Sequence, residues 1–261
     1  MSNLKQRILS SIVGVLIFVP FVLLGESAFS FLIATIAIIC ANELIGILGR
    51  LGFNPYRLPV YLSSFLFIYL PVYFGEYGTV LTLSFLVLLA AAYSFFSKNK
   101  IANVSATIFT ALYVGFLFGR LILLRQLDEG IALTFLVLSV IWANDIAAYL
   151  IGRRFGKKRL APKISPKKTW EGTISGIFAA VIISLLFIFF TRLSVFELII
   201  ISIFVSTAGL LGDLFESQFK RWADVKDSGR LIPGHGGFLD RFDSLLFGAA
   251  AGYYVIQLFL L

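Results

Sequence analysis

Five carboxylates in the second half of the sequence lie within or beside long apolar stretches, where a charge is costly. A charged side chain at mid-depth in a lipid bilayer costs about 2.5–3.5 kcal/mol on insertion scales, so such residues persist where something pairs with them. All five fall toward the same side of the membrane in the orientation derived below, and this clustering indicates a functional site. The five residues are Asp145, Asp213, Glu216, Asp240 and Asp243.

Asp240 and Asp243 open the last apolar stretch and, being three residues apart, share one face of the predicted helix. Two neighbouring carboxylates repel each other, and a hard divalent cation relieves that repulsion. Mg²⁺ is typically bound by one or two carboxylates together with substrate phosphates and water. Asp213, from the preceding stretch, can supply a third carboxylate. The alternative is that Asp240 serves only as the N-cap of its helix, a position that favours Asp.

A glycine-rich loop, residues 233–237 (PGHGG), precedes that acidic pair. Glycines at this density let the backbone approach a ligand closely, and the N–H groups at the start of the following helix favour an anion. The loop is not a Walker loop, because no Gly-Lys-Ser/Thr follows, and a plain turn is an equal alternative. His235, the single histidine, makes a hydrogen bond within the loop in one interpretation and contacts phosphate or transfers a proton in the other.

Two loops rich in lysine and arginine flank these residues. Their positive charge has two explanations, which are the general excess of basic residues in cytoplasmic loops and contacts to a phosphorylated substrate. The first explains the number of charges, and the second also explains their alternation with acidic residues, serine, proline and glycine. The basic residues are Lys157, Lys158, Arg159, Lys163, Lys167 and Lys168 in one loop, and Lys220, Arg221, Lys226 and Arg230 in the other.

The composition places these residues in a membrane protein. Of the 261 residues, 59% are hydrophobic and 14% are charged, whereas soluble domains have roughly 45–50% apolar and about 25% charged residues. The net charge of +8 comes from loops between apolar stretches, so it indicates a lipid bilayer and a phosphorylated substrate as partners, and no nucleic acid. The single cysteine, Cys40, excludes an intramolecular disulfide and a cysteine metal site.

Nine apolar stretches qualify as membrane-spanning helices, which need about 20 residues. The sequence therefore predicts an all-α, polytopic integral membrane protein. The first stretch follows Lys5 and Arg7, but no small-residue cleavage site comes after it, so we expect an uncleaved helix rather than a signal peptide. The nine stretches are residues 8–24, 28–48, 59–75, 78–96, 104–124, 131–151, 173–191, 195–215 and 242–261.

An N-terminus in the cytosol puts all but three of the 22 lysine and arginine residues in or beside cytosolic segments, and the opposite orientation would reverse this bias. The active site is then expected to face the cytosol, with its carboxylates at the inner side of the bilayer. The compact size of the chain is typical of a bacterial inner membrane protein. The three exceptions are Arg120, Arg125 and Arg192.

The polar residues divide the chain unevenly. Residues 1–100 have short loops and few polar residues within their apolar stretches, and we interpret them as a scaffold or oligomer region. Glu43 is the exception, and we expect its carboxylate to lie at the depth of the lipid headgroups. Residues 101–261 are interpreted as the catalytic region, with cytosolic loops 152–172 and 216–241.

Residues 217–243 (SQFKRWADVKDSGRLIPGHGGFLDRFD) closely resemble the signature of the phosphatidate cytidylyltransferases, also called CDP-diacylglycerol synthases. Two further segments, 144–152 (NDIAAYLIG) and 165–172 (SPKKTWEG), are similar to motifs of the same family, and their order and spacing also fit. Over residues 1–100 the similarity is limited to hydropathy.

The resemblance implies an Mg²⁺-dependent nucleotidyltransferase of phospholipid biosynthesis, which joins CTP to phosphatidic acid and releases pyrophosphate. It also implies a homodimer and allows K⁺ as a second cation. The metal ligands of the family carry over to Asp213, Asp240 and Asp243. We expect the lipid phosphate to attack the α-phosphorus of CTP in line.

The other candidate residues are assigned from their places in these motifs. Lys226, Arg241 and His235 join the three aspartates as catalytic candidates. The first two, together with Lys220 or Arg221, are expected to neutralise the triphosphate. The substrate-binding candidates are Asn144, Asp145, Lys167, Lys168, Lys220, Arg221, Asp227, Gly236 and Gly237.

Two other classes of function are alternatives. A membrane transporter would suit nine apolar helices, but transporters usually place their binding groups near mid-membrane and often contain repeats, and no repeat is visible here. Another CTP-using lipid enzyme, such as a polyprenol kinase, shares much of the chemistry, and the length of the signature argues against it. A CDP-alcohol phosphatidyltransferase would show an Asp-Gly-x-x-Ala-Arg motif, which this sequence lacks.

Overall fold

The computed structural model of the protein describes residues 14, 16–95, 101–229, 231 and 236–260, most of which are helical. Seven helices in this part of the chain are long and apolar enough to cross a membrane. The prediction of an all-α, polytopic membrane protein is therefore confirmed.

The helices with complete bounds are numbered in chain order, after a first helical segment at residues 16–23. They are α1 (Glu26–Arg50), α2 (Arg57–Phe95), α3 (Ile101–Thr110), α4 (Leu117–Gln126), α5 (Gly130–Phe155), α6 (Trp170–Leu185), α7 (Val195–Trp222) and α8 (Leu239–Leu260). A π-helical segment (Ala111–Phe116) joins α3 to α4, and a 3-10 turn (Leu186–Phe189) follows α6. The strands are β1 (Arg159–Ala161) and β2 (Ser165–Thr169).

The predicted stretches correspond to these helices, with two differences. Stretches 59–75 and 78–96 both lie in α2, whose 39 residues would be about 58 Å long if straight, roughly twice the thickness of a bilayer core. The helix is interrupted at Gly75, where φ is 55° and ψ is −139°, at the boundary that the sequence predicts. Residues 8–13 and 15 of the first stretch, 8–24, lie outside the described residues, so the number of crossings stays a prediction.

The chain forms two compact units. Unit 1 consists of residues 1–126 and 219–242, and unit 2 consists of residues 127–218 and 243–261. Helices α7 and α8 therefore each contribute residues to both units. The division does not follow the predicted functional regions, whose separate roles stay a prediction.

In unit 1, α2 packs against α1, α3, the π-helical segment and α4. Two glycines permit the close approach to α2. A Cβ on Gly115 would lie 2.6 Å from Ser64 Cα, and a Cβ on Gly119 would collide with the carbonyl oxygen of Phe67. Small residues at such positions let membrane helices approach closely.

Unit 1 also contains a buried arginine. Arg120 Nη1 donates to both carboxylate oxygens of Glu76 at 2.7 Å, and Nη2 donates to Thr79 Oγ1. The guanidinium carbon lies 4.5 Å from the centre of the Phe116 ring. The arginine side chain is fully buried, whereas that of Glu76 is 43% exposed. The ion pair therefore compensates for the desolvation of Arg120.

In unit 2, α5 packs closely along α6. A Cβ on Gly172 would lie 2.6 Å from the carbonyl oxygen of Ala148 and 3.0 Å from Gly152 Cα. The glycine pair therefore brings the two backbones into contact near the ends of the helices that border the connecting segment.

That connecting segment contains a β-hairpin, which the all-α prediction did not include. β1 and β2 pair antiparallel, with Arg159 opposite Thr169 and Ala161 opposite Ser165. Thr169 ends the hairpin and is the N-cap of α6, because its Oγ1 accepts a hydrogen bond from Gly172 N at 3.2 Å. The hairpin and the helix are thus joined without a flexible linker.

Both predicted loops, 152–172 and 216–241, are shorter in the structure. α5 and α7 continue several residues into them, and α6 and α8 begin within them. Hydropathy marks the apolar part of a helix, whereas the backbone hydrogen bonds that maintain a helix do not require apolar side chains. The polar ends of these helices were therefore assigned to loops.

Candidate active site

Unit 2 brings together one lysine and two aspartates from three different elements. Lys168 Nζ, on β2, lies 2.7 Å from Asp213 Oδ2, on α7. Asp145, on α5, interacts electrostatically with both of these residues. Weaker hydrogen bonds of 3.3 Å run from Asn144 Nδ2 to Asp145 Oδ1 and from Ser217 Oγ to Asp213 Oδ1. One ammonium group thus faces two carboxylates, an arrangement that leaves net negative charge.

The packing of α6 on α5 shapes this cluster. A Cβ on Gly176 would lie 2.6 Å from Asn144 Oδ1, so glycine leaves room for the amide that contacts Asp145. Asn144 itself is buried. Lys168 lies one residue before Thr169, the N-cap of α6, and the capped helix fixes the backbone from which the lysine extends.

Asp243 belongs to the same unit and lies on α8. Its Oδ1 accepts a hydrogen bond from Ser244 N at 2.6 Å. A Cβ on Gly212, the residue before Asp213, would lie 2.5 Å from the carbonyl oxygen of Asp243. The backbone of α8 at Asp243 is therefore packed against α7 next to Asp213.

The donor chemistry of unit 2 fits a hard divalent cation. Asp145, Asp213 and Asp243 supply carboxylate oxygens, which are the ligands that Mg²⁺ prefers, and one or two of them suffice when phosphate and water complete the coordination. In neither unit do the described residues form a group of three or more acidic, histidine or cysteine side chains that could hold a metal ion by themselves. The assignment of Asp213, Asp240 and Asp243 as metal ligands stays a prediction.

Asp240 lies in unit 1, in the first turn of α8 rather than at its N-cap. Its Oδ1 accepts a hydrogen bond from Lys220 Nζ at 2.5 Å, and both side chains are almost fully buried. Its Oδ2 accepts from the backbone N–H groups of Ser228, at 3.0 Å, and Gly237, at 2.8 Å. Asp240 thus organises the segment before its own helix, and Lys220 pairs with it.

Glu43, on α1, is the second buried carboxylate of unit 1. Its Oε1 accepts from Phe238 N at 3.0 Å, and its Oε2 accepts from Leu239 N at 2.9 Å and from Ser228 Oγ at 2.7 Å. The residue is 6% exposed, so its carboxylate is enclosed by protein groups, and its expected depth at the lipid headgroups stays a prediction. The N–H groups at the start of α8, for which the sequence predicted an anion, bind the carboxylate of Glu43. This side chain pairs N–H groups that have no partner within the helix.

Glycines are required where this segment passes the two carboxylates. A Cβ on Gly229 or Gly237 would collide with the carboxylate of Glu43. Gly236 has a φ of +86°, and its Cβ would lie 2.8 Å from Asp240 Oδ2. At Gly236 and Gly237 the absence of a side chain allows the close approach of these acidic groups. The close approach of a ligand stays a prediction.

The roles of the other predicted site residues stay predictions. Arg221 Nη1 donates to the carbonyl oxygen of Val225 at 3.3 Å, near the end of α7. Asp227 borders Gly236. His235 and Arg230 lie outside the described residues. Five of the predicted site residues are exposed, namely Lys167, Arg221, Lys226, Asp227 and Arg241.

Sequence reasoning missed Glu43 and Ser228 as members of a site. The signal for Glu43 was available, because a carboxylate within an apolar stretch is costly wherever it occurs. Its partners could not be found, since they lie 185 to 196 residues away in the chain.

Comparison with known proteins places the chain among lipid nucleotidyltransferases. The profile of the family described as "Cytidylyltransferase family" matches residues 5–259. The phosphatidate cytidylyltransferase of Bacillus subtilis (strain 168) is 35% identical over 278 residues, covering 99% of this chain and 100% of that protein. The proteins of the same name from Staphylococcus haemolyticus (strain JCSC1435) and Staphylococcus aureus (strain COL) are 36% and 34% identical, each covering 94% of this chain and 95% of the relative.

Proposed function

Because the chain belongs to the cytidylyltransferase family, we propose that it is a phosphatidate cytidylyltransferase, which converts CTP and phosphatidic acid to CDP-diacylglycerol and pyrophosphate. The relatives that carry this name align over nearly their whole length. The structural observation that supports the proposal is the cluster of Lys168, Asp145 and Asp213, in which one cation interacts with two carboxylates from separate apolar helices.

The proposed reaction is a single nucleotidyl transfer. An oxygen of the lipid phosphate forms a bond to the α-phosphorus of CTP, and the bond from that phosphorus to the oxygen bridging to the β-phosphorus breaks. The electron pair of that bond leaves with pyrophosphate. The phosphate monoester is already anionic near neutral pH, so no strong general base is required, and the main need is to stabilise phosphate charge.

The residues of unit 2 supply that stabilisation in our proposal. Lys168 offers an ammonium group to a phosphate oxygen, and Asp213 holds that group in place at 2.7 Å. Asp145, Asp213 and Asp243 are the carboxylates that would hold Mg²⁺, with K⁺ as an additional candidate. When bound, the divalent cation offsets the negative charge of the phosphates. The predicted share of Asp240 in holding it rests on the sequence alone.

We further propose that the enzyme acts in a bacterial inner membrane, with its active site facing the cytosol. The distribution of lysine and arginine supports this orientation, and the relatives named above are bacterial. The homodimer implied by the resemblance is kept as part of the proposal.

The experiment uses purified protein in detergent with phosphatidic acid, Mg²⁺ and CTP that carries radioactive phosphorus at one defined position. Label at the α-phosphate is expected to enter the lipid fraction, and label at the γ-phosphate is expected to appear in pyrophosphate. A CTP-dependent lipid kinase would give the opposite result, with the γ-label in the lipid. Diacylglycerol in place of phosphatidic acid is the substrate control and should give no labelled lipid, since it lacks the attacking phosphate.

A further inference from the structure

Two buried carboxylates of unit 1 share one serine. Ser228 donates its side-chain hydroxyl to Glu43 Oε2 at 2.7 Å and its backbone N–H to Asp240 Oδ2 at 3.0 Å. Glu43 comes from α1, far from Ser228 in sequence, whereas Asp240 lies on the helix that follows it. The serine therefore joins the carboxylate of a distant helix to a residue of the predicted active site.

The start of α8 is bound by the same two side chains. Gly237 N donates to Asp240 at 2.8 Å, and the next two N–H groups, of Phe238 and Leu239, donate to Glu43 at 3.0 and 2.9 Å. Three consecutive N–H groups are thus held by two carboxylates. An anion at this end also interacts favourably with the helix dipole. The direction in which α8 begins, and with it the place of Asp240, depends on both carboxylates.

The chain leaves little room for any other arrangement. A Cβ on Gly237 would collide with Ser228 Oγ as well as with Glu43, and a Cβ on Gly229 would collide with Glu43. Glu43 is 6% exposed, so its charge is not screened by water as a surface charge would be. A buried carboxylate with three donors is strongly fixed in position.

We propose that Glu43 is a positioning residue for nucleotidyl transfer, which holds Asp240 and the first turn of α8 through Ser228, Phe238 and Leu239. It does not touch substrate. The inference rests on the proposed function for its effect on turnover, but its structural part concerns only the contacts within unit 1.

Glu43→Gln tests the proposal, because it keeps the shape of the side chain and removes its charge. The side-chain NH₂ group of glutamine would also face a backbone N–H group, of Phe238 or Leu239, that donates to the Glu43 carboxylate in the wild type. We expect kcat to fall about a hundredfold, as misplacement of a catalytic group by about 1 Å can produce, while the KM for phosphatidic acid stays close to that of the wild type and the protein remains folded. Glu26→Gln, an exposed change in the same helix, is the matched control and should leave kcat unchanged.

A second measurement does not depend on activity. Hydrogen exchange followed by mass spectrometry should show faster exchange in peptides covering 236–241 of the Glu43→Gln protein, and no change in α5 or α6. If the wild-type protein does not use CTP and phosphatidic acid, the proposed function fails, and the exchange result still decides whether Glu43 holds this segment.

Ser228→Ala covers the case in which Glu43→Gln does not fold. It removes one hydrogen bond to Glu43 and keeps the backbone N–H that binds Asp240, so a smaller loss of kcat, roughly tenfold, is expected. Wild-type kcat with wild-type exchange at 236–241 in either variant would overturn the proposal. So would a loss of activity that is fully explained by a smaller folded fraction.

Discussion

Lys168 and Asp213 form an ion pair of 2.7 Å between a β-hairpin and a long apolar helix, and their side chains are 24% and 29% exposed. The pair is therefore shielded enough to be held in place and open enough to be reached by a substrate. Lys168 belongs to the segment 165–172 that resembles a family motif, whereas Asp213 lies four residues before the signature 217–243.

Lys168→Met should reduce kcat/KM for CTP by about a hundredfold to a thousandfold, because one preorganised group that stabilises phosphate charge is typically worth that much. Lys163→Met, an exposed change in the turn of the same hairpin, removes an equal charge and should cost less than about threefold, in line with the small effects of exposed charges. Steady-state rates of CDP-diacylglycerol formation measure both. Equal losses in the two variants would show that overall loop charge, and not this contact, is what matters.

Removal of divalent metal should abolish activity, and added Mg²⁺ should restore it. Asp145→Asn should raise the Mg²⁺ concentration needed for half the maximal rate, because it removes one of the two negative charges that interact near Lys168. The check is a Mg²⁺ titration of the initial rate after chelation. An unchanged titration curve for Asp145→Asn would remove this residue from the metal proposal.

Gly237→Ala should inactivate the enzyme, because the added Cβ would collide with Ser228 and Glu43. Overpacking of this kind costs about 1–3 kcal/mol. Gly46→Ala is the control, since a Cβ there would meet no atom within 4 Å and alanine suits a helix better than glycine. The thermal unfolding midpoint and the rate of CDP-diacylglycerol formation are measured for both variants in the same detergent. A fully active Gly237→Ala protein would contradict the packing of Gly237 against Ser228 and Glu43.

Glu76→Gln should destabilise unit 1 by about 1–2 kcal/mol, because it leaves the buried guanidinium of Arg120 without its carboxylate. This is less than the cost of breaking a fully buried ion pair, since Glu76 is 43% exposed. Adding Arg120→Met to that variant should recover part of the loss, since the buried charge is then gone. Thermal unfolding of the single and the double variant shows which of the two is more stable. A double variant less stable than Glu76→Gln alone would show that Arg120 acts mainly through packing.

Much of the fold could be predicted from hydropathy, because a membrane helix must be apolar over its whole span. The break in α2 was also predictable, since the apolar stretches end beside Gly75. The β-hairpin was not predictable, because its two strands are short and residues 159–169 are rich in lysine and arginine. The second strand ends at Thr169, the N-cap of α6, and the sequence alone does not show this. The polar continuations of α5 and α7 were missed for the related reason that hydropathy does not follow a helix out of the bilayer.

The site was predicted less completely. Lys168 could be named from its motif, and Asp213 as a carboxylate near the end of an apolar stretch and by the family resemblance. Their direct contact depends on how β2 meets α7, which no local pattern encodes. Asp145 was known as a costly carboxylate, and its electrostatic link to Asp213 appears only in the folded chain. Glu43 is set apart from the site in the sequence analysis because its carboxylate is expected at the depth of the lipid headgroups, and the residues that bind it lie 185 to 196 positions away in the chain.

The hydrogen bonds from Phe238 and Leu239 to Glu43 also limit how the gene could be shortened. A fragment that starts after residue 100 would keep every motif quoted above and still lack the acceptor for two amides in the segment that ends the signature. Supplying residues 1–100 as a separate polypeptide is the simplest way to return that acceptor, so the two halves should complement each other in trans where the second half alone is inert.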